Sequence, residues 1–413
     1  MRRVVVTGLG AITPVGNDIK ATWNNLLKGK SGIDTIKSFD ISDQNVKIAG
    51  EVKDFTPEEK IDAKTLRRLD RCVQLCLYAT IEAVEDAKID FSQYDRSEIG
   101  VIIGSGIGGI LTWEREHTKF LNAGPSRVSP FLIPMMIPDM TSGYVAIHWG
   151  LRGPNYTTVS ACASGAHAIG DAFRAIKYGD ADVIITGGAE APVTPFALAG
   201  FTNMRALSRR NDEPQKASRP FDKGRDGFIM AEGAASLIIE ELEFAQKRGA
   251  KIYAEIVGFG ATGDGYHITA PAPDGEGARR SMEKAIKEAG CRMDDIHYIN
   301  THGTSTELND KFEAMAVKDL FGEHVKKLVL NATKSMIGHT LGAAGAIEAA
   351  VVILSIQNGV VHPTLNLEEP DPECEGLDFV TGIARQVDMR HALSNSFGFG
   401  GHNATLCFKQ FPG

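Results

Sequence analysis

Five short apolar runs, each closing on a glycine-rich or small polar turn, punctuate the chain: VVVTGLG (4–10), IGVIIGSGIGG (99–109), DVIITGGAE (182–190), HYINTHGT (297–304) and LVLNAT (328–333). Between them lie stretches whose apolar residues recur every three or four positions, such as DRCVQLCLYATIEAVEDA (70–87) and RSMEKAIKEAG (280–290). Short strands alternating with amphipathic helices bury both faces of a sheet, so the pattern predicts an α/β fold in layers. It also says where to look for chemistry, because such folds build their sites at the carboxyl ends of strands.

The alternation contains a repeat. GAHAIGDAFRAIKYG (165–179) returns in outline as GAIEAAVVILSIQNG (345–359). Both segments end on a glycine suited to the left-handed residue that follows a helix. Apolar positions coincide: Ala166 with Ala346, Ile169 with Ala349, Phe173 with Ile353, Ile176 with Ile356. VVVTGLG is echoed by EIVGFG (255–260). Two alanine-rich helices can agree by chance, but the joint pattern predicts two similar α/β halves, residues 1–250 and 251–413, packed as one unit. Of the 413 residues 43% are apolar, enough to bury a sizeable core.

Charge and composition exclude several functions. A net charge of −8 argues against general nucleic-acid binding, which wants a basic face. The six cysteines are scattered, with no CxxC pair and no zinc-like spacing; Cys72 and Cys76, four apart in a helical pattern, read as core. The amino terminus reads as a first strand rather than a signal peptide. No run of about 18 apolar residues suggests a membrane span, so a reducing, cytoplasmic setting is expected. GSGIGG (104–109) satisfies GxGxxG after a strand, yet no acidic residue lies about 20 positions on to hold a ribose, which speaks against dinucleotide binding.

One cysteine stands apart. Cys162 sits in TTVSACASGAHAIG (157–170), where a strand pattern gives way to the first repeat helix. Most unpaired cysteines are small buried hydrophobes. Here a helix amino terminus would stabilise a thiolate, and small neighbours permit a sharp turn of the nucleophile-elbow kind. Partner groups lie in the other half: His302 in INTHGTSTELND (299–310), Lys334 and His339 in NATKSMIGHTLGAAGAIE (331–348).

TVSACASGAHAIG, THGTST, NATKSMIGHTLGAAGAIEA and SNSFGFGGHNATL (394–406) together resemble the four signature blocks of β-ketoacyl-acyl carrier protein synthases, nearest to the elongating type, synthase II, over essentially the whole chain. The resemblance implies a thiolase-like α-β-α-β-α fold. It also implies fatty acid elongation by decarboxylative Claisen condensation, with a polyketide or specialised lipid pathway as the alternative. On it, Cys162 carries the acyl group, and His302 and His339 bind the malonyl thioester carbonyl. Lys334 tunes the histidines, with Glu348 offsetting its charge, and Phe399 gates the site and shares an oxyanion hole with Cys162. Ile107, Phe201, Thr304, Thr306, Gly398 and Gly400 would bind substrate. Lys64, Arg67 and Arg68, in the basic run KTLRRLDR (64–71), and Arg205 would dock an acidic acyl carrier protein. A homodimer is implied and no required cofactor. A monovalent cation near Asn300, Glu348, Ser394 and Asn395 is the remaining expectation. His402 has no assigned role. The histidine pair separates this pattern from thiolases, which pair the nucleophile with one histidine and a second cysteine, and from starter-type synthases, which use Cys, His and Asn. A non-catalytic synthase subunit would lose Cys162, and a cysteine hydrolase would give free acid.

Overall fold

A computed structural model describes residues 1–412. The first half holds β1 (Val4–Ile12), β2 (Ile99–Gly104), β3 (Asn155–Thr158), β4 (Val183–Glu190) and β5 (Gly233–Glu241). The second holds β6 (Ala254–Gly263), β7 (Ile296–Asn300), β8 (Val329–Asn331), β9 (Asp378–Phe379), β10 (His391–Gly398) and β11 (His402–Gln410). In the order β1-β5-β4-β2-β3, two antiparallel pairs are followed by two parallel ones. The order β6-β11-β10-β7-β8 repeats that sequence of senses, with β9 added parallel to β8. The two ladders meet only where Val4–Val6 of β1 pair with Ala254–Ile256 of β6.

Helices fill the layers. α1 (Arg71–Ala87) covers the outer face of the first half and buries Cys72 and Cys76. α3 (Glu276–Ala289) and α4 (Glu307–Phe321) cover the second half. Between the two halves of this continuous 11-stranded sheet lie the repeat helices, α2 (Ser164–Tyr178) and α5 (Ala344–Asn358). Each follows a single 3-10 turn, Ala161–Ala163 or Leu341–Ala343, that opens on a residue of positive φ: Ala161 at 51° and Leu341 at 46°. Each stops at a left-handed glycine, Gly179 or Gly359. The two helices begin almost in contact, and a Cβ on Gly165 would fall 2.8 Å from the Gly342 carbonyl oxygen. Real Cβ contacts do not come so close, so a side chain there would force the helices apart. Ile169, Phe173 and Ile176 of α2 are all buried, each such side chain contributing about 1.5–3 kcal/mol.

The expectation about membrane spans needs correcting. Leu341–Asn358, 18 residues, is long and apolar enough to cross a membrane, but 83% of it is buried inside the protein. It is apolar on every side because sheets cover it on both.

Candidate active site

Cys162, His302, His339 and Phe399 line one cavity of about 500 Å³, together with Ile107, Phe201, Thr304, Thr306 and Gly398. Each arrives at a strand end or in the turn beyond it: His302 after β7, His339 beyond β8, Phe399 after β10, and Cys162 in the turn between β3 and α2. Lys334 and Glu348 stand behind the histidines, 1% and 0% exposed. Arg205 is exposed at the cavity rim, and Gly400 is exposed outside the lining. Lys64, Arg67 and Arg68 are also exposed and lie away from the cavity wall, with the Arg68 guanidinium 5.0 Å above the Phe131 ring.

The nucleophile turn brings Cys162 Sγ to the backbone N–H groups of Phe399 and of Cys162 itself. A Cβ on Gly398 would sit 2.7 Å from the Ser160 carbonyl oxygen and 3.0 Å from Cys162 N, so glycine is what lets the two segments approach. The thiol differs from the sequence expectation. Burial pushes it up to about 12, against the opposing pull of Lys334 and the two N–H groups. Desolvation outweighs the helix terminus, and the resting group is a neutral thiol.

The histidine rings lie 5.3 Å apart at 83°. His302 Nδ1 is 3.3 Å from Lys334 Nζ, and His339 Nδ1 accepts from the Leu341 N–H at 3.3 Å. A nitrogen that accepts carries no proton, so both rings hold theirs on Nε2. Donors at Nδ1, one from a side chain and one from the backbone, thus fix both tautomers. Burial first, then the Lys334 charge, holds both imidazoles well below their ordinary value, so they stay neutral. Lys334 Nζ also donates to Glu348 Oε1 at 2.6 Å and to the His302 carbonyl at 2.7 Å.

Several site residues escaped sequence reasoning. Glu313 on α4 accepts from the N–H groups of His302 (2.8 Å) and Gly303 (2.9 Å) and fixes that turn. Its signal was available: Asp310 and Glu313, three apart, lie on the buried face of a helix. Asp264 ties the Phe399 turn, its N–H donating to the Gly401 carbonyl and its carboxylate accepting from Asn403. Phe228 stands edge-on to both Phe201 and His339. Glu190 accepts from the N–H groups of Gly106, Ile107 and Gly108. The GxGxxG segment is therefore an anion-binding loop already filled by an internal carboxylate, which leaves no room there for a dinucleotide phosphate.

The cation expectation can be tested on orphaned oxygens. Asn300 Oδ1, Glu348 Oε2 and Ser394 Oγ are buried without a hydrogen-bond partner, and Asn300 and Ser394 are register partners on β7 and β10. Oxygen donors with one carboxylate suit a hard cation. Asn395 fits less directly, since its side-chain oxygen accepts from Thr405 and its nitrogen donates to Glu313.

A thiol and two Nε2-protonated imidazoles at the meeting of two like α/β halves define a thiolase-like condensing enzyme. Residues 1–245 match the N-terminal domain of β-ketoacyl synthases and residues 253–368 their C-terminal domain; the chain belongs to that family and is an acyltransferase. It is 54% identical over 410 residues to 3-oxoacyl-[acyl-carrier-protein] synthase 2 of Staphylococcus aureus, covering 99% of each chain. It is 52% identical to the protein of that name from Synechocystis, covering 99% of this chain and 98% of that one. A β-ketoacyl synthase from Burkholderia phymatum superposes with a TM-score of 0.93 at 36% identity, over 100% of both chains. A type II polyketide ketosynthase, solved in complex with its acyl-carrier protein, does so with a TM-score of 0.92 at 33% identity, again over 100% of both.

Proposed function

We propose that the chain lengthens an acyl group held on Cys162 by two carbons, using malonyl-acyl carrier protein, in fatty acid elongation. Halves 1–250 and 251–413 divide the labour, the first supplying the nucleophile and the second the malonyl site. Relatives named 3-oxoacyl-[acyl-carrier-protein] synthase 2 are 52–54% identical, whereas the type II polyketide ketosynthase is 33% identical, which favours the primary pathway. In the first step Cys162 Sγ attacks the acyl thioester, and the thiol proton leaves with the carrier thiol. The N–H groups of Cys162 and Phe399 hold the oxyanion. Malonyl-carrier then binds with its thioester oxygen on the Nε2–H groups of His302 and His339. The bond to CO2 breaks and its electron pair becomes the enolate, stabilised by those two neutral donors. The nucleophilic carbon attacks acyl-Cys162, the C–S bond breaks with its electron pair going to sulfur, 3-oxoacyl-carrier departs, and the Cys162 thiolate takes a proton from solvent to restore the thiol. Thr304 and Thr306, whose hydroxyls are 2.8 Å apart on the cavity wall, guide the carrier arm. Ile107 and Phe201 bound the acyl chain, and Phe399, flanked by Gly398 and Gly400, gates it.

The observation that carries this reading is the donor at each Nδ1, which leaves both Nε2–H groups available beside Cys162. The test is Cys162→Gln, whose amide carbonyl stands in for the acyl thioester in the oxyanion hole. The variant should release labelled CO2 from malonyl-carrier and form no ketoacyl product. Loss of CO2 release with the fold intact would overturn the division of labour.

Lys64, Arg67, Arg68 and Arg205 form the docking face for the acidic carrier, in keeping with their exposure and charge. A homodimer is supported by β3, a sheet-edge strand with Tyr156 exposed on it and Val159 exposed just past its end. A monovalent cation would be held by Asn300, Glu348 and Ser394 with Asn395 alongside, and would supply fixed positive charge behind the histidine site.

A further inference from the structure

Glu190 ends β4, is 0% exposed, and has no part in the chemistry above. Its carboxylate nevertheless joins two loops that do. Oε1 accepts from the Ser105 hydroxyl (3.1 Å) and the N–H groups of Ile107 (3.1 Å) and Gly108 (3.2 Å). Oε2 accepts from the N–H of Gly106 (2.7 Å) and, across the seam between the halves, from that of Gly342 (3.0 Å). A Cβ on Gly106 or Gly342 would lie 2.8 or 2.6 Å from Oε2, so both segments press onto it as closely as backbone can. Ile107 belongs to the cavity wall; Gly342 follows Leu341, whose N–H fixes the His339 tautomer. Every partner of the two oxygens is a neutral donor.

We propose that Glu190 is a positioning residue that sets the acyl-pocket wall at Ile107 and the His339 loop from one side chain, so that a single buried acid governs both chain-length preference and malonyl turnover. The proposal rests on the condensing reading given above. The physical reason is the acceptor count. A carboxylate offers lone pairs to all five donors, where an amide offers one acceptor oxygen and turns two N–H bonds toward groups that can only donate. In Glu190→Gln the amide oxygen keeps the shorter bonds, to Gly106 and Gly342. The amide nitrogen then faces Ile107 and Gly108, and only the Ser105 hydroxyl can turn to accept from it. The wall should loosen while the His339 loop holds. Glu190→Ala releases both loops.

Two thiols face this charge, Cys72 from α1 and Cys162, and the charge disfavours both thiolates. Lys334 acts on Cys162 in the opposite sense. Removing the charge should therefore favour the Cys162 thiolate.

The experiment measures three quantities on wild type and variants: kcat/KM for long against short acyl-carrier primers, labelled CO2 release from malonyl-carrier, and the rate of Cys162 alkylation by iodoacetamide at pH 8. Glu190→Gln should change the long-to-short ratio at least fivefold, keep CO2 release within threefold, and alkylate faster than wild type. Glu190→Ala should lose CO2 release at least tenfold as well. An unchanged ratio and alkylation rate in Glu190→Gln would overturn the proposal, as would full CO2 release in Glu190→Ala. Should Glu190→Ala not fold, Glu190→Gln decides alone. Wild type that fails to condense in the same assay would instead overturn the condensing reading.

Discussion

Lys334→Met keeps the length and most of the volume of the side chain and deletes the ammonium. Two separable losses follow. The first is stability. Lys334 Nζ pairs with Glu348 Oε1 at 2.6 Å, both groups being wholly buried, and removing one partner of such a pair typically costs about 3–5 kcal/mol. The loss is limited because Glu348 can take a proton. Burial already pushes its carboxyl up to about 7 with the ammonium present, Lys334 opposing the shift. Without Lys334 it rises further, and the folded variant binds a proton near neutrality that the unfolded chain does not. A folded state with the higher carboxyl pKa loses stability as pH rises from the unfolded value, about 4.3, through the folded one. The variant should therefore lie nearest wild type in urea at pH 5.5 and fall furthest behind at pH 8. The second loss is rate. With no donor at Nδ1, His302 can shift its proton there and turn a lone pair toward the enolate oxygen. An absent oxyanion donor is worth on the order of 10²–10³ in rate. Single-turnover release of labelled CO2 should fall by that factor, while acylation of Cys162, followed by intact mass, stays within about tenfold. Wild-type CO2 release from a destabilised Lys334→Met would refute the tautomer argument. A stability deficit independent of pH would refute the titration of Glu348.

Three further outcomes are expected. Ile107→Phe should exclude long primers and spare short ones, because overpacking a cavity wall costs about 1–3 kcal/mol; parallel loss across a panel of primers would place Ile107 outside the acyl pocket. Arg67→Glu with Arg68→Glu should weaken use of carrier-bound substrate far more than use of a small thioester mimic. The wild-type advantage should shrink with salt, since screening acts over about 8–10 Å. Because both histidines are held neutral, CO2 release by Cys162→Gln should show no inflection near pH 6.5, and a loss of rate on acidification through that value would contradict their lowered pKa.

The sequence made the strands and repeat helices legible wherever apolar runs ended on glycine. Val4–Ile12, Val183–Glu190, Ser164–Tyr178 and Ala344–Asn358 all fall within a few residues of their patterns. β3 was legible only at its end, where TT (157–158) opens the strand pattern before Cys162; its start, Asn155 and Tyr156, is exposed at a sheet edge and carries no apolar run. In the site, Cys162 and the histidines announced themselves by residue type at strand ends. Glu190 did not, because it accepts backbone N–H groups from loops distant in sequence, and an acid in that role looks like any other acid; Glu313, only 10 and 11 residues from the N–H groups it accepts, left a signal in its helical spacing from Asp310 that went unread. The thiol was misjudged for a related reason: a helix amino terminus can be read locally, whereas the burial that overrides it comes from residues far along the chain, Val193, Leu198, Phe228 and Leu341 among them.

The turn that displays Cys162 occurs twice, once opening on Ala161 and once on Leu341. Its second copy carries Gly342 where the first carries Cys162, and Glu190 lies where any side chain there would begin. The duplicated scaffold is thus barred from a second nucleophile by contact alone. Its near-symmetry ends at that residue, and a stoichiometry is expected from it: on the proposed reading each chain should load a single acyl group, so that a fully primed chain gains the mass of one acyl thioester and no more by intact mass.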